Sequence, residues 1–294
     1  MNNYGILLID KPAGLTSHDV VMRARKVLKT KKIGHTGTLD PFATGLLVLC
    51  VGRATKLIKY LSVAEKEYEA KVILGLQTDT DDITGKPLKM AEVESIKDQE
   101  IRSVLNSFIG RSQQVPPAYS AIKVNGRKLY EYARQNAIMP ELKPREIDIK
   151  SINKVAIDRD ESGQRIDVDF TCLVSKGTYI RAIARDMGEK LGSAGTLGAL
   201  RRTKVGMVQV EEASTLEDFE KGQYTLCDPI RFLDLPKVVL SPELIGFVES
   251  GRPLSSELFM TLTDTIIYDE KGQLVAIYRY DKEKEQMRMS VKIQ

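Results

Sequence analysis

Gly34-His35-Thr36-Gly37-Thr38-Leu39-Asp40-Pro41-Phe42-Ala43-Thr44-Gly45 runs without a break into Leu46-Leu47-Val48-Leu49-Cys50-Val51. The second stretch is an apolar run of strand length and reads as a buried strand. The first is glycine-punctuated, and Pro41 pushes Asp40 out of the helical region towards an extended or turn conformation. Asp40 is therefore expected on a stiff loop at the lip of a core strand, where a rigid scaffold can present one reactive group. The same local pattern also fits a tight turn with a capping aspartate.

Working outward, residues 23–32 place six cations (Arg23, Arg25, Lys26, Lys29, Lys31 and Lys32) and no acid directly before this loop. Such a stripe either draws a polyanion towards a neighbouring site or forms a solvated helix face. The chain carries only two histidines, His18 and His35, which excludes a histidine-rich metal centre. Cys50, Cys172 and Cys227 are odd in number and far apart, suiting neither a disulfide framework nor zinc, so a reducing cytoplasm is expected. Asp79-Thr80-Asp81-Asp82-Ile83-Thr84-Gly85 faintly matches a calcium loop. Its glycine comes one position late, however, and Met90 stands where the closing glutamate belongs, so an Asp/Gly turn competes with it. Phosphate-cradling glycine loops are missing, and neither a nucleotide cofactor nor a metal is expected. The 294 residues are 42% hydrophobic and 29% charged, an ordinary globular balance. No apolar run approaches the roughly 18 residues of a membrane span, and Met1-Asn2-Asn3-Tyr4 does not open an export signal.

Gly5 to Ile9 reads as an opening strand, and Ser17 is placed to cap a helix with Val20, Val21, Ala24, Val27 and Leu28 on one face. A short helix is expected over 56–61 and a strand over 67–76, with Tyr68, Ala70, Val72 and Leu74 sharing a face. Ile101 to Phe108 marks a helix closed by Gly110. Two strands near 148–157 and 165–174 flank a polar turn, and Thr178 to Leu191 is helical, stopped by Gly192. Strands and helices mixed without regular βαβ alternation give an α+β fold. After Leu235-Pro236 the composition shifts to one helix, Pro242 to Glu249, and several short strands. The expected division is a main domain over 1–235 and a small β-rich one over 236–294. With no coiled-coil seam in view, a monomer is expected.

The Gly34 to Gly45 segment resembles the catalytic motif of the TruB family of tRNA pseudouridine synthases. Other segments agree in order: Ile9 to His18, Lys66-Glu67-Tyr68, Gly75 to Asp81, Pro116 to Lys123, Ser175 to Arg181 and Leu200-Arg201-Arg202. Together they cover most of residues 5–210, with Thr38 and Phe42 as mild variants inside the first motif. The resemblance implies a mixed, mainly antiparallel sheet flanked by helices, followed by a PUA-like RNA-binding domain. It implies isomerisation of a uridine in the T loop of tRNA to pseudouridine, without cofactor, with tRNA as the partner. Asp40 would be the essential carboxylate, Arg181 its cationic holder, and Tyr68 the residue against the target base. Tyr179 and Leu200 would wall the pocket. His35 would fill the space left by the flipped base, and Lys11 would meet the RNA backbone or brace its own turn. Two other classes stay in view. One is a tRNA-binding or tRNA-folding protein with little or no catalysis. The other is a carbohydrate hydrolase, which lacks an identifiable second acid near Asp40.

Overall fold

Alternation of buried and open positions along the strands gives this chain its main sheet. A computed structural model describes residues 4–120, 122–124, 126–134 and 140–293. The first three residues, and Ala121 of the Pro116 to Lys123 segment, lie outside the described residues. The sheet runs in the order Ser214–Thr215, Gly5–Lys11, Thr44–Val51, Gly195–Val205, Lys66–Leu74, Ile166–Val174, Arg145–Arg159, Gly110–Gln114. Pairing is antiparallel from Gly195–Val205 to Gly110–Gln114, and antiparallel again between Gly5–Lys11 and Thr44–Val51. The sheet is thus mixed and mainly antiparallel, as the resemblance implies.

Its two halves meet at a narrow parallel seam, where Arg201 and Arg202 pair with Thr44 and Gly45. Gly45 has φ +102°, and a Cβ there would lie 2.3 Å from the Arg202 carbonyl oxygen. Only glycine lets the backbones approach this closely. The 34–45 loop therefore enters the sheet at its internal joint.

Helices cover the apolar faces that the strands expose. Ser17–Val27 turns Val20, Val21 and Ala24 onto Leu7, Ile9, Leu47 and Leu49. Ile180–Lys190 lays Ile180, Ile183, Ala184 and Met187 in one core with Ala70, Val72, Val168 and Leu200. Full burial of each large aliphatic side chain is worth about 1.5–3 kcal/mol, so this one face anchors the helix firmly. Two expected ends move. The first helix is capped by Thr16, not Ser17, because Thr16 and Asp19 form a reciprocal capping box and Ser17 turns inward. The Asp98–Asn106 helix ends before Gly110, which instead opens a strand at φ +103°.

Beyond Pro236 a second sheet is ordered Lys237–Val239, Thr265–Tyr268, Leu274–Asp281, Gln286–Lys292, Leu254–Ser255, with the helix at Pro242–Glu249. It does not stand apart. Ile266, Tyr268, Leu274 and Ile277 share a core with Ile6, Leu8, Leu46 and Val48 of the main sheet. Lys59 and Tyr60 both reach the Ser290 hydroxyl, at 2.6 and 2.9 Å. Among the described residues no helix is long and apolar enough to cross a membrane.

Candidate active site

The loop that carries Asp40 is fastened on three sides. Ser17 Oγ accepts from the Leu39 amide at 2.8 Å and donates to the Leu39 carbonyl at 3.1 Å, which fixes the residue before Asp40. Behind the loop, the buried Arg202 donates to the carbonyls of Leu46, Thr38 and Gly37 at 2.7, 3.3 and 3.2 Å. On the far side, Lys11 Nζ donates to the carbonyls of Pro12, Leu15 and Pro41 at 2.8, 2.8 and 3.3 Å. An ammonium has three protons, so these carbonyls use up its donors. Lys11 is fully buried and faces its own turn, the bracing position among the two expected of it. Burial pushes its pKa down to about 8, against the pull of Asp40.

Arg181 stands in the first turn of the Ile180–Lys190 helix, only 4% exposed. Its Nε lies 2.9 Å from Asp40 Oδ2, and Nη2 donates to Oδ1 at 3.3 Å, so the planar guanidinium spans the carboxylate. The remaining donors reach the Thr80 carbonyl at 2.8 Å and the Tyr119 carbonyl at 2.9 Å, and Nη1 lies 3.5 Å from Asp82. Asp82 is itself buried and held by the Thr80 and Thr84 hydroxyls. Burial raises the Asp40 pKa above the usual carboxylate range; Arg181 opposes this, while the Asp82 charge adds to it. The Asp40 side chain keeps a third of its surface open, so the anion is held rather than sealed in.

One turn along the helix, Arg185 repeats the arrangement with Asp81 at 3.3 Å and the Val115 carbonyl at 3.0 Å. The Asp79 to Gly85 segment thus offers its buried carboxylates to two arginines. Tyr179 precedes the helix, its backbone tied on both sides to Gln114 at 2.9 and 3.1 Å. Tyr68 is 7% exposed, pairs with Cys172 and Arg202 on the neighbouring strands, and shares a core with Leu39, Ala43, Ile180 and Leu200. His35 ends the Ile33–His35 strand with its buried Nδ1 unpartnered among the described residues. Burial and the Arg202 charge lower its pKa, so the ring is neutral near pH 7. A cleft of about 520 Å³ opens alongside, bordered by Phe42, Glu69, Lys71, Leu200 and Arg201. Asp40 and Arg181 do not line it.

Asp40 and Arg181 are therefore in contact, with Lys11 beneath the loop and Tyr68 and Leu200 in the core beside it. Sequence reasoning passed over Asp82, Ser17 and Arg202 as working parts. Asp82 stood in a segment already singled out for its acids, and Arg202 beside Leu200 in a quoted motif.

The architecture is that of the pseudouridine synthases. The crystal structure of an archaeal box H/ACA sRNP Nop10–Cbf5 complex matches with TM-score 0.69 and 23% identity, over 99% of this chain and 86% of that one. A Cbf5–Nop10–Gar1 complex gives 0.71 and 24%, over 99% and 84%. Residues 25–180 match the TruB family pseudouridylate synthase N-terminal domain, and residues 181–240 match the tRNA pseudouridylate synthase B C-terminal domain. The tRNA pseudouridine synthase B of Bacillus subtilis (strain 168) is 42% identical over 286 residues, 93% of this chain and 92% of that protein. That of Cutibacterium acnes is 41% identical over 285 residues, 96% and 95%. The chain belongs to the TruB family of tRNA pseudouridine synthases, enzymes of the isomerase class.

Proposed function

We propose that this chain converts a uridine in the T loop of tRNA to pseudouridine, with Asp40 as the essential nucleophile. The reaction breaks the bond from the uracil nitrogen to ribose carbon 1′. The freed base turns, its carbon 5 joins the same ribose carbon, the proton on carbon 5 leaves, and the released nitrogen takes up a proton. Nothing is oxidised, reduced or hydrolysed, and no cofactor is required. An ionised carboxylate at the sugar serves as nucleophile or charge stabiliser. The observation that carries the reading is the guanidinium of Arg181 spanning Asp40 from within the core. A buried cation with several fixed acceptors holds a carboxylate ionised and aimed, which a lone surface aspartate cannot match.

Tyr68 lies against the target base, where its ring stacks and its hydroxyl is a candidate acceptor for the carbon-5 proton. Tyr179 and Leu200 wall the pocket. The target base must leave its stack for carbon 1′ to be reached, and the neutral ring of His35 fills the vacated space. Lys11 acts from beneath, through the Pro41 carbonyl. Residues 236–294 form a PUA-like RNA-binding domain, and the chain works as a monomer.

The test is release of tritium from carbon 5 of uridine in an unmodified tRNA transcript. Wild type releases it and Asp40→Asn does not, while both bind the transcript. Release by Asp40→Asn at the wild-type rate removes Asp40 from its role. Binding without release by wild type supports a tRNA-binding protein instead.

A further inference from the structure

Lys66 and Arg202 flank Gly37, and Lys176 stands on the far side of Lys66 at Ser62, with no counter-charge paired to any of them among the described residues. A Cβ placed on Gly37 would lie 3.3 Å from Lys66 Cε and 3.7 Å from Arg202 Nη1, so the two side chains flank that residue. Lys66 Nζ donates to the carbonyls of Ala64 and Ser62 at 2.6 and 3.4 Å, and Lys176 Nζ donates to the Ser62 hydroxyl at 3.3 Å. Arg202 spends its bonds on three carbonyls. None of the three forms an ion pair among the described residues. Burial, helped by the Arg202 and Lys176 charges, drives the Lys66 pKa down to about 8.

Carbonyls satisfy hydrogen bonds but cancel no charge, and buried like charges repel strongly where water is excluded. The donors are not exhausted: Lys66 keeps one proton and the exposed Lys176 two, by the ordinary count for an ammonium. The backbone amides of Gly37 and Thr38 have no acceptor among the described residues either. Free donors and uncompensated charge converge on one corner, three residues from Asp40. This is the composition of an anion seat.

We propose that Lys66, Lys176 and the Gly37–Thr38 amides seat one backbone phosphate of the substrate RNA, adjacent to the nucleotide presented to Asp40. Arg202 contributes charge from behind. This rests on the function proposed above and adds to it the fixed point from which the target nucleotide is swung in. One phosphate clamped beside the loop sets the distance from RNA backbone to carboxylate.

Binding of an unmodified T-arm stem-loop is to be measured between 50 and 200 mM salt for wild type, Lys66→Gln, Lys176→Gln and the double variant. Loss of one phosphate contact lowers the slope of log affinity against log salt by about 0.7–0.9. Because both lysines share one phosphate, the double variant loses no more than that. Stem-loops with a methylphosphonate at each linkage flanking the target then locate the contact. One such neutral linkage weakens wild-type binding about tenfold, as for a lost charge-assisted hydrogen bond, and leaves the double variant nearly unaffected. Arginine at either position restores the slope. An unchanged slope, or equal methylphosphonate sensitivity in wild type and double variant, overturns the proposal. If Lys66→Gln does not fold, the exposed Lys176→Gln carries the test alone. Tritium release by wild type separates the two claims: an active enzyme with unchanged slopes refutes only the phosphate seat.

Discussion

Replacing Ser17 with alanine removes one oxygen from a site 1% exposed. The Leu39 amide and carbonyl lose the Ser17 hydroxyl, bonded to them at 2.8 and 3.1 Å. Each buried backbone group left without a partner costs about 1–3 kcal/mol, so the two groups together make Ser17→Ala destabilising by about 2–6 kcal/mol. The loosened residue adjoins Asp40, and misplacing a reacting group by about 1 Å lowers a rate about 10²-fold. Thr16→Ala is the control. It deletes the helix cap, costing about 1 kcal/mol, and leaves the loop fastened. Urea unfolding gives the stabilities, and single-turnover tritium release gives the rates. The reasoning fails if Ser17→Ala costs no more than Thr16→Ala, or if its rate matches wild type.

Arg181→Lys keeps the charge but gives up the planar fork that reaches Asp40, Thr80 and Tyr119 at once. Single-turnover release should fall at least about 10²-fold while RNA affinity holds; a rate near wild type would show that charge alone suffices. Gly45→Ala puts a methyl 2.3 Å from the Arg202 carbonyl at φ +102°, and should destabilise by more than about 3 kcal/mol, read as loss of soluble folded protein by circular dichroism. Burial pushes the Asp81 carboxyl up to about 6 from 3.8, with Arg185 opposing. The folded chain then binds that proton more tightly than the unfolded chain, so Asp81 makes stability fall as pH rises from about 4 to 6. Urea unfolding at pH 4.5 and 7 should show a smaller fall in Asp81→Asn than in wild type.

The architecture was legible because its signals are local. The apolar run at 46–51 lies within the observed Thr44–Val51 strand, and the helical spacing of Ile180, Ile183, Ala184 and Met187 marks the face that is buried. The C-terminal helix falls at Pro242–Glu249 as read, because Ser241 and Pro242 announce its start. What escaped was the destination of individual polar groups. Thr16 and Ser17 are equally plausible caps by type, and only the reciprocal bond from Asp19 decides between them. A lysine beside a turn is ordinarily exposed, and nothing local reveals that Lys11 ends among carbonyls, one of them 30 residues away. Asp82 looked like a turn or metal acid because its partner Arg181 lies about a hundred positions further on. The Asp40–Arg181 pairing itself came from family resemblance, since no local pattern joins residues so far apart.

The seam between the half-sheets also sets an order of events during synthesis. Arg202 reaches back 165 positions to the Gly37 carbonyl. At about 5–20 residues per second, a ribosome needs roughly 10–30 s to make the intervening chain. Throughout that interval the Thr44–Val51 strand can pair with Gly5–Lys11, yet the loop at its head has nothing behind it. The nascent chain can therefore display its basic helix long before it holds a shaped reaction centre. The joint beside Gly45 can close only after the strand bearing Arg202 has been made.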